Sequence, residues 1–255
     1  MTACRIYAIA QQKGGVGKTT TTINLGAALV EQKKRVLCVD LDPQGALTAG
    51  LGINPLSLKQ TIYDCLRTPK SDLLGVCIPT NAGLDLIPAN IDLAAAEIEL
   101  IAEPGRERIL GEKLKTAFKK YEYILIDCPP SLGLLTLNAL AAATDVLIPI
   151  QTQYFALRGM DLLLQTIEKV QQRINQSLKV AGILPTMFDQ RTLHSREVLE
   201  ELRSVYGDQL FQTIIPHTVK LADSNMAGEP ILKMVSQSPA SEAYRNLAKE
   251  LITHE

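Results

Sequence analysis

At 255 residues the chain is long enough to bury a full core as one large domain, and short for two ordinary domains with a linker. With 46% apolar and 21% charged residues, it has the profile of a folded globular protein and not of a disordered or fibrous one. A net charge of −1 excludes a polycation, so any contact with nucleic acid has to come from a local patch.

Residues 5–10 (RIYAIA) form a short β-prone run that stops at a glycine-rich turn. Residues 19–32 then predict a helix whose apolar face carries Ile23, Ala27 and Val30, widened by Leu25 and Leu29. Residues 35–40 (RVLCVD) are almost continuously apolar, which is how a strand covered on both faces of a parallel sheet reads. Residues 51–83 are the least regular stretch, with Pro55, Pro69 and Pro79, and are expected to form a variable lobe. Further strands are predicted at 84–87, 123–127 (YILID), 145–150 (DVLIPI), 179–184 and 210–215. Helices are predicted at 107–119, 134–143, 159–175, 195–206 and 241–252. The alternation of buried strands and helices predicts an α/β fold: a doubly wound, mostly parallel sheet flanked by helices on both faces, as one domain over 1–255.

The five cysteines, Cys4, Cys38, Cys65, Cys77 and Cys128, form no C-x-x-C pair and no metal-ligand spacing with the three histidines. Cys38 and Cys128 lie in apolar runs and read as buried, reduced thiols. The first nine residues do not read as a signal peptide, and no apolar stretch reaches the roughly 18 residues of a membrane span. A cytoplasmic protein is the expectation.

The strongest local signal is Lys13-Gly14-Gly15-Val16-Gly17-Lys18-Thr19-Thr20, directly after a strand and opening a helix. Glycines let backbone N–H groups curl around a phosphate chain, and the following helix points its positive end at the same phosphates. Lys18 is placed to reach the β- and γ-phosphates of a nucleotide, and the Thr19 hydroxyl to ligate Mg²⁺. The strict G-x-x-x-x-G-K-[ST] pattern asks for glycine where this chain has Gln12, and a second lysine, Lys13, opens the loop instead. Two strands end in acids beside this loop. Asp40 closes the first, with Asp42 on the turn beyond it, and Asp127 closes the second. Ligand groups in open α/β sheets collect at the carboxyl ends of strands, so Asp42 and Asp127 are candidates for Mg²⁺ and for the nucleophilic water. The plain alternative for any one such Asp is a turn or cap residue, and Asp40 is the candidate for a purely structural strand end.

KGGVGKTT, DLDPQG and LIDCPPS together resemble the deviant Walker-A ATPases of the ParA/MinD group. The later blocks PIQTQYFALRGM, LPTMFDQRT and IIPHTVKLADS are similar in order and spacing to the ParA/Soj branch, so the resemblance spans essentially the whole chain. It implies a slow ATPase using ATP and Mg²⁺, an ATP-dependent sandwich homodimer, non-specific DNA as ligand and a stimulating ParB-like partner. It also implies roles. Lys13 would reach across the dimer to the partner's phosphates, Lys18 and Thr19 would serve the nucleotide within the subunit, Asp42 would position the attacking water, and Asp127 would sense Mg²⁺. Met187 and Pro216 would lie near the adenine, and Arg191, Arg196 and Lys220 would contact DNA. A nucleoid-associated state when ATP is bound would follow.

The chain departs from the family pattern in four places. His217 and Lys220 stand where arginines are usual, Gln153 where a glutamate is common, and Arg158 where an acid is usual. Glu197, Glu200 and Glu201 are interspersed with the basic residues, so a mixed, solvated helix face competes with a DNA patch. Four other functions compete. A MinD-like membrane-surface ATPase would carry a basic amphipathic tail, and the final residues AKELITHE do not resemble one. An iron–sulfur carrier would need a cysteine pair near the dimer axis, and a metabolic ligase a substrate constellation that the sequence does not display. Positioning of a protein cargo is the remaining alternative.

Overall fold

The computed structural model describes residues 4–153 and 160–253. Arg158, the predicted helix start at Gly159, and His254 and Glu255 lie outside the described residues.

Seven strands form one sheet in the order β3-β4-β2-β5-β1-β6-β7. They are β1 Arg5–Ile9, β2 Val36–Asp40, β3 Ile78–Pro79, β4 Asp85–Ile87, β5 Tyr123–Asp127, β6 Asp145–Gln151 and β7 Lys179–Thr186. All pairings are parallel except β3 with β4. Parallel strands covered on both faces need no polar face, which is why β2 and β5 are buried along their whole length. Successive side chains alternate between two cores: Ile6 and Ala8 of β1 pack on one side, Tyr7 and Ile9 on the other.

The helices are α1 Lys18–Glu31, α2 Ala46–Gly50, α3 Ile62–Arg67, α4 Leu93–Glu99, α5 Ile109–Leu114, α6 Leu134–Ala142, α7 Met160–Arg173, α8 Leu193–Tyr206, α9 Val219–Met226, α10 Ile231–Met234 and α11 Pro239–Thr253. On one face lies α1, clamped to α11 by Arg245, which donates to both oxygens of Glu31 at 2.6 and 3.0 Å. Residues of α5, α6 and α7 cover the other.

Three expectations need correction. Residues 210–215 do not form a strand. Phe211 and Ile215 donate to β7 carbonyls, but the intervening N–H groups of Gln212 and Thr213 go to the Glu250 carboxylate of α11, at 2.7 and 3.1 Å. A side chain has taken the ladder's donors, so only isolated bridges remain. The helix predicted at 107–119 is shorter, because a 3-10 turn precedes α5 and turns follow it. The irregular stretch 51–83 holds α3, opened by a capping box in which the Asp64 carboxylate accepts from Thr61 N–H at 2.9 Å. Among the described residues no helix is long and apolar enough to cross a membrane.

Candidate functional site: a phosphate loop at the carboxyl edge of the sheet

The order of strands reverses at the centre of the sheet, where β1 lies between β5 and β6. A crevice opens there beyond the carboxyl ends of the strands. The register aligns Ile9 and Asp40 with Asp127, so two acids and the start of the loop share one edge.

Gly15 and Gly17 hold φ of 72° and 93°, left-handed values that strain any residue with a Cβ. Gly17 caps α1 with no side-chain hydrogen bond and no acid follows in the first turn, so the helix's first N–H groups are left for an anion. Val16 is buried and anchors the loop from below, its carbonyl accepting from Thr186 Oγ1 at 2.8 Å. Lys18 is only 7% exposed and donates to the Lys13 carbonyl at 3.2 Å, whereas Lys13 itself is exposed. Burial pulls the Lys18 ammonium below its ordinary range, and the neighbouring Asp127 partly restores it.

Thr19 Oγ1 donates to Asp127 Oδ2 at 2.7 Å, and Thr22 Oγ1 approaches Oδ1 at 3.4 Å. Burial, then the charge of Asp40, pushes the Asp127 carboxyl up to about 8. Asp40 is raised by burial to about 6, although its Oδ2 accepts from both the N–H and the hydroxyl of Thr48, at 2.8 and 2.7 Å. Its Oδ1 accepts from Asp42 N–H at 3.1 Å, so Asp40 is a structural node for the turn that carries Asp42. Asp42 is half-buried and its Oδ1 accepts from Gln44 N–H at 2.9 Å.

Met187 and Pro216 line one pocket of about 270 Å³ together with Gly17, Thr20 and Asn225. That volume is below the range of about 300–1,000 Å³ usual for whole drug-sized ligands and suits a single ring system. Phe188 and His217 tie the two pocket loops together, with His217 N–H donating to the Phe188 carbonyl at 2.9 Å. Arg191, Arg196 and Lys220 are all exposed, the last two in the first turns of α8 and α9. Arg191 is not a free cation. It grips both oxygens of Asp189, at 2.9 and 2.8 Å. Gln153 is exposed, and its N–H bonds the Gln151 carbonyl at 2.9 Å.

Two residues of this site have no role assigned from the sequence. Gln151, at the end of β6, accepts from Lys13 Nζ at 3.0 Å and donates to the Gly15 carbonyl at 2.8 Å and to Met187 Sδ at 2.9 Å. Asn225 donates to Thr20 Oγ1 at 2.9 Å. The sequence signal for Gln151 is a polar residue directly after the apolar run 146–150, inside the block PIQTQYFALRGM.

The arrangement fits a polyphosphate with a hard cation. It offers a glycine cradle, an uncapped helix end, one buried ammonium, and a Thr hydroxyl backed by a carboxylate. Among the described residues no group of three His, Cys, Asp or Glu side chains could hold a metal alone, so phosphate oxygens and water would complete the shell around Thr19.

Residues 4–180 match the AAA domain family. The chain is 46% identical over 248 residues to the sporulation initiation inhibitor protein Soj of Bacillus subtilis, covering 97% of this chain and 98% of Soj. It is 46% identical over 254 residues to the chromosome partitioning protein ParA of Myxococcus xanthus, covering 98% and 89%. The chain belongs to the ParA/Soj family of P-loop ATPases. Its fold is close to a Mycobacterium smegmatis crystal structure described as cobyrinic acid a,c-diamide synthase with bound ADP and magnesium. The TM-score is 0.88 at 43% identity, covering 100% of this chain and 95% of that one.

Proposed function

We propose that this protein is a Mg²⁺-dependent ATPase of DNA segregation, a single domain over residues 1–255. Its ATP-bound homodimer holds DNA without sequence preference and is stimulated by a ParB-like partner. The observation that carries this reading is the contrast between the two loop lysines: Lys18 is buried within the cradle and Lys13 is exposed at its mouth. One ammonium serves the subunit's own nucleotide, and the other is free to reach a second subunit once it leaves Gln151.

Lys18, with the N–H groups of Gly14, Gly15, Val16, Gly17 and Thr20, holds the phosphates. The Thr19 hydroxyl faces the cation and Asp127 orients the shell behind it. When bound, Mg²⁺ supplies charge neutralisation across the phosphate oxygens. Asp42 accepts from the attacking water and aligns it in-line, and Lys13 from the partner adds positive charge at the transferred group. Hydrolysis removes that anchor and loosens the dimer. Met187 and Pro216 bracket the base. Arg191, Arg196 and Lys220, beside the N-terminal ends of α8 and α9, face the DNA backbone, and the ATP-bound form is nucleoid-associated.

Two competing readings have less support. The apolar face of α11, with Tyr244, Leu247 and Leu251, is buried in the core and not offered to a membrane. Cys128 is 1% exposed, and burial pushes its thiol up, away from the thiolate that a cluster requires.

The test is co-sedimentation with DNA in ATP, ADP or no nucleotide across a salt series. Retention only with ATP, falling steeply with salt, is expected. ATP hydrolysis without retention under any nucleotide would remove DNA as the ligand and favour a protein cargo. A diamide synthase, the activity named for the M. smegmatis protein, would give no ATP-gated retention either.

A further inference from the structure

Asn225 lies in the last turn of α9 and lines the same pocket as Thr20, Met187 and Pro216. Its Nδ2 donates to Thr20 Oγ1 at 2.9 Å. Its Oδ1 is buried and has no hydrogen-bond partner among the described residues. A buried acceptor left unpaired is costly and uncommon, and at the wall of a pocket it points to a donor supplied from outside the chain. Thr186, which reaches this pocket from β7, has its one hydroxyl hydrogen committed to the Val16 and Ile150 carbonyls at 2.8 and 3.1 Å, so it has no donor left to offer a base.

We infer that Asn225 is a base-specificity residue: its Oδ1 accepts an N–H from the exocyclic amine of adenine and thereby rejects guanine. The inference rests on the nucleotide reading above, and the hydroxyl of Thr20 links the two. A hydroxyl has one hydrogen to donate. With a phosphate oxygen beside the loop, Thr20 spends that hydrogen on the phosphate and can only accept from Asn225. The amide is therefore locked with Nδ2 towards Thr20 and Oδ1 towards the base. Guanine carries a carbonyl oxygen where adenine carries its amine. Two acceptors would then face each other and both would stay unsatisfied, the situation in which hydrogen-bonding sites discriminate most strongly. The orientation of a pocket amide is thus set by a phosphate contact at the other end of the same nucleotide.

The experiment uses the full chain with Mg²⁺ and a ribose-labelled fluorescent ATP, displaced by ATP, GTP or purine riboside triphosphate, which lacks any group at the 6-position. Wild type is expected to favour ATP over GTP by at least about tenfold, which is about 1.4 kcal/mol, and to favour ATP over the 6-unsubstituted analogue. In Asn225→Ala the two preferences shrink at least about fivefold, even if all three ligands bind more weakly through the lost Thr20 contact. Asn225→Asp keeps an acceptor and loses the donor, so it is expected to weaken ATP and GTP together while retaining the preference. Unchanged ratios in Asn225→Ala overturn the inference, as does a wild type that does not distinguish ATP from GTP. Failure of wild type to bind any of the ligands would instead refute the phosphate-loop reading on which it rests.

Discussion

Asp127 has its carboxylate buried at the end of a central strand, next to a second buried acid, Asp40, and its nearest compensation is a threonine hydroxyl and the Lys18 ammonium. Its proton affinity is raised from an ordinary 3.8 to about 8, so between those limits the folded chain holds a proton that the unfolded chain has released. More protons bound in the folded state means that stability falls as pH rises from about 4 to about 8, and flattens above. One such group contributes at most about 1.4 kcal/mol per pH unit. Thermal melts of the nucleotide-free protein across that range are expected to show a decline that Asp127→Asn reduces, most of all above about pH 6, where Asp40 with its own raised value of about 6 no longer contributes, leaving the mutant more stable than wild type at pH 8. Parallel curves for the two proteins would mean that Asp127 does not carry the missing charge. A site in this condition is short of positive charge, which is the physical reason to expect a cation there. Part of the site was legible in sequence, and part was not. Lys18 and Thr19 are contiguous, and Asp127 closes an apolar strand, so local pattern finds them. Gln151 meets Lys13 across 138 positions and Asn225 meets Thr20 across 205, and no periodicity reports such pairs.

At the scale of elements, Glu250 decides the fate of a whole segment. Its two oxygens accept from consecutive N–H groups, Gln212 and Thr213, and so tie α11 to the stretch that runs beside β7. A carboxylate receiving two backbone donors is a charge-assisted cap, and its loss leaves both donors to water or to nothing. Glu250→Ala is expected to lower stability by about 1–2 kcal/mol, seen as a lower urea midpoint with an unchanged slope. A wild-type midpoint would show that the segment holds without it. The same contact explains why 210–215 looks like a strand in sequence: its apolar pattern is genuine, and the competing acceptor is 37 residues beyond Thr213. β1, β2, β5, β6 and β7 were readable because strands buried on both faces are continuous apolar runs bounded by turns. β3, two residues long, and α10, four residues long, are too short to show any period. The Thr61–Asp64 capping box of α3 was present in the sequence, but three prolines around it argued for irregularity.

Across the whole molecule the balance of charge is close to zero, so the proposed grip on DNA depends on where the few cations are and on what already neutralises them. Arg191 is 82% exposed yet bidentate on Asp189, and that pairing holds the Asp189 carboxyl down at about 2. At neutral pH the pair presents no net charge, and a phosphate has to displace Asp189 before Arg191 contributes. Arg196 and Lys220, at the starts of two helices whose N-termini also favour anions, therefore carry the face as it stands. On the proposed function, Asp189 would limit the affinity for DNA. Asp189→Asn keeps the side-chain oxygen that accepts from Arg191 N–H at 3.0 Å, so the loop retains its shape while losing its charge. The expected outcome is tighter ATP-dependent DNA binding at low salt and a log–log salt slope steeper by about 0.9, the signature of one more phosphate contact, with ATP affinity unchanged. Arg191→Glu combined with Lys220→Glu should move both quantities the other way. An Asp189→Asn protein with wild-type affinity and slope would place Arg191 off the DNA face and leave the contact to the helix starts alone.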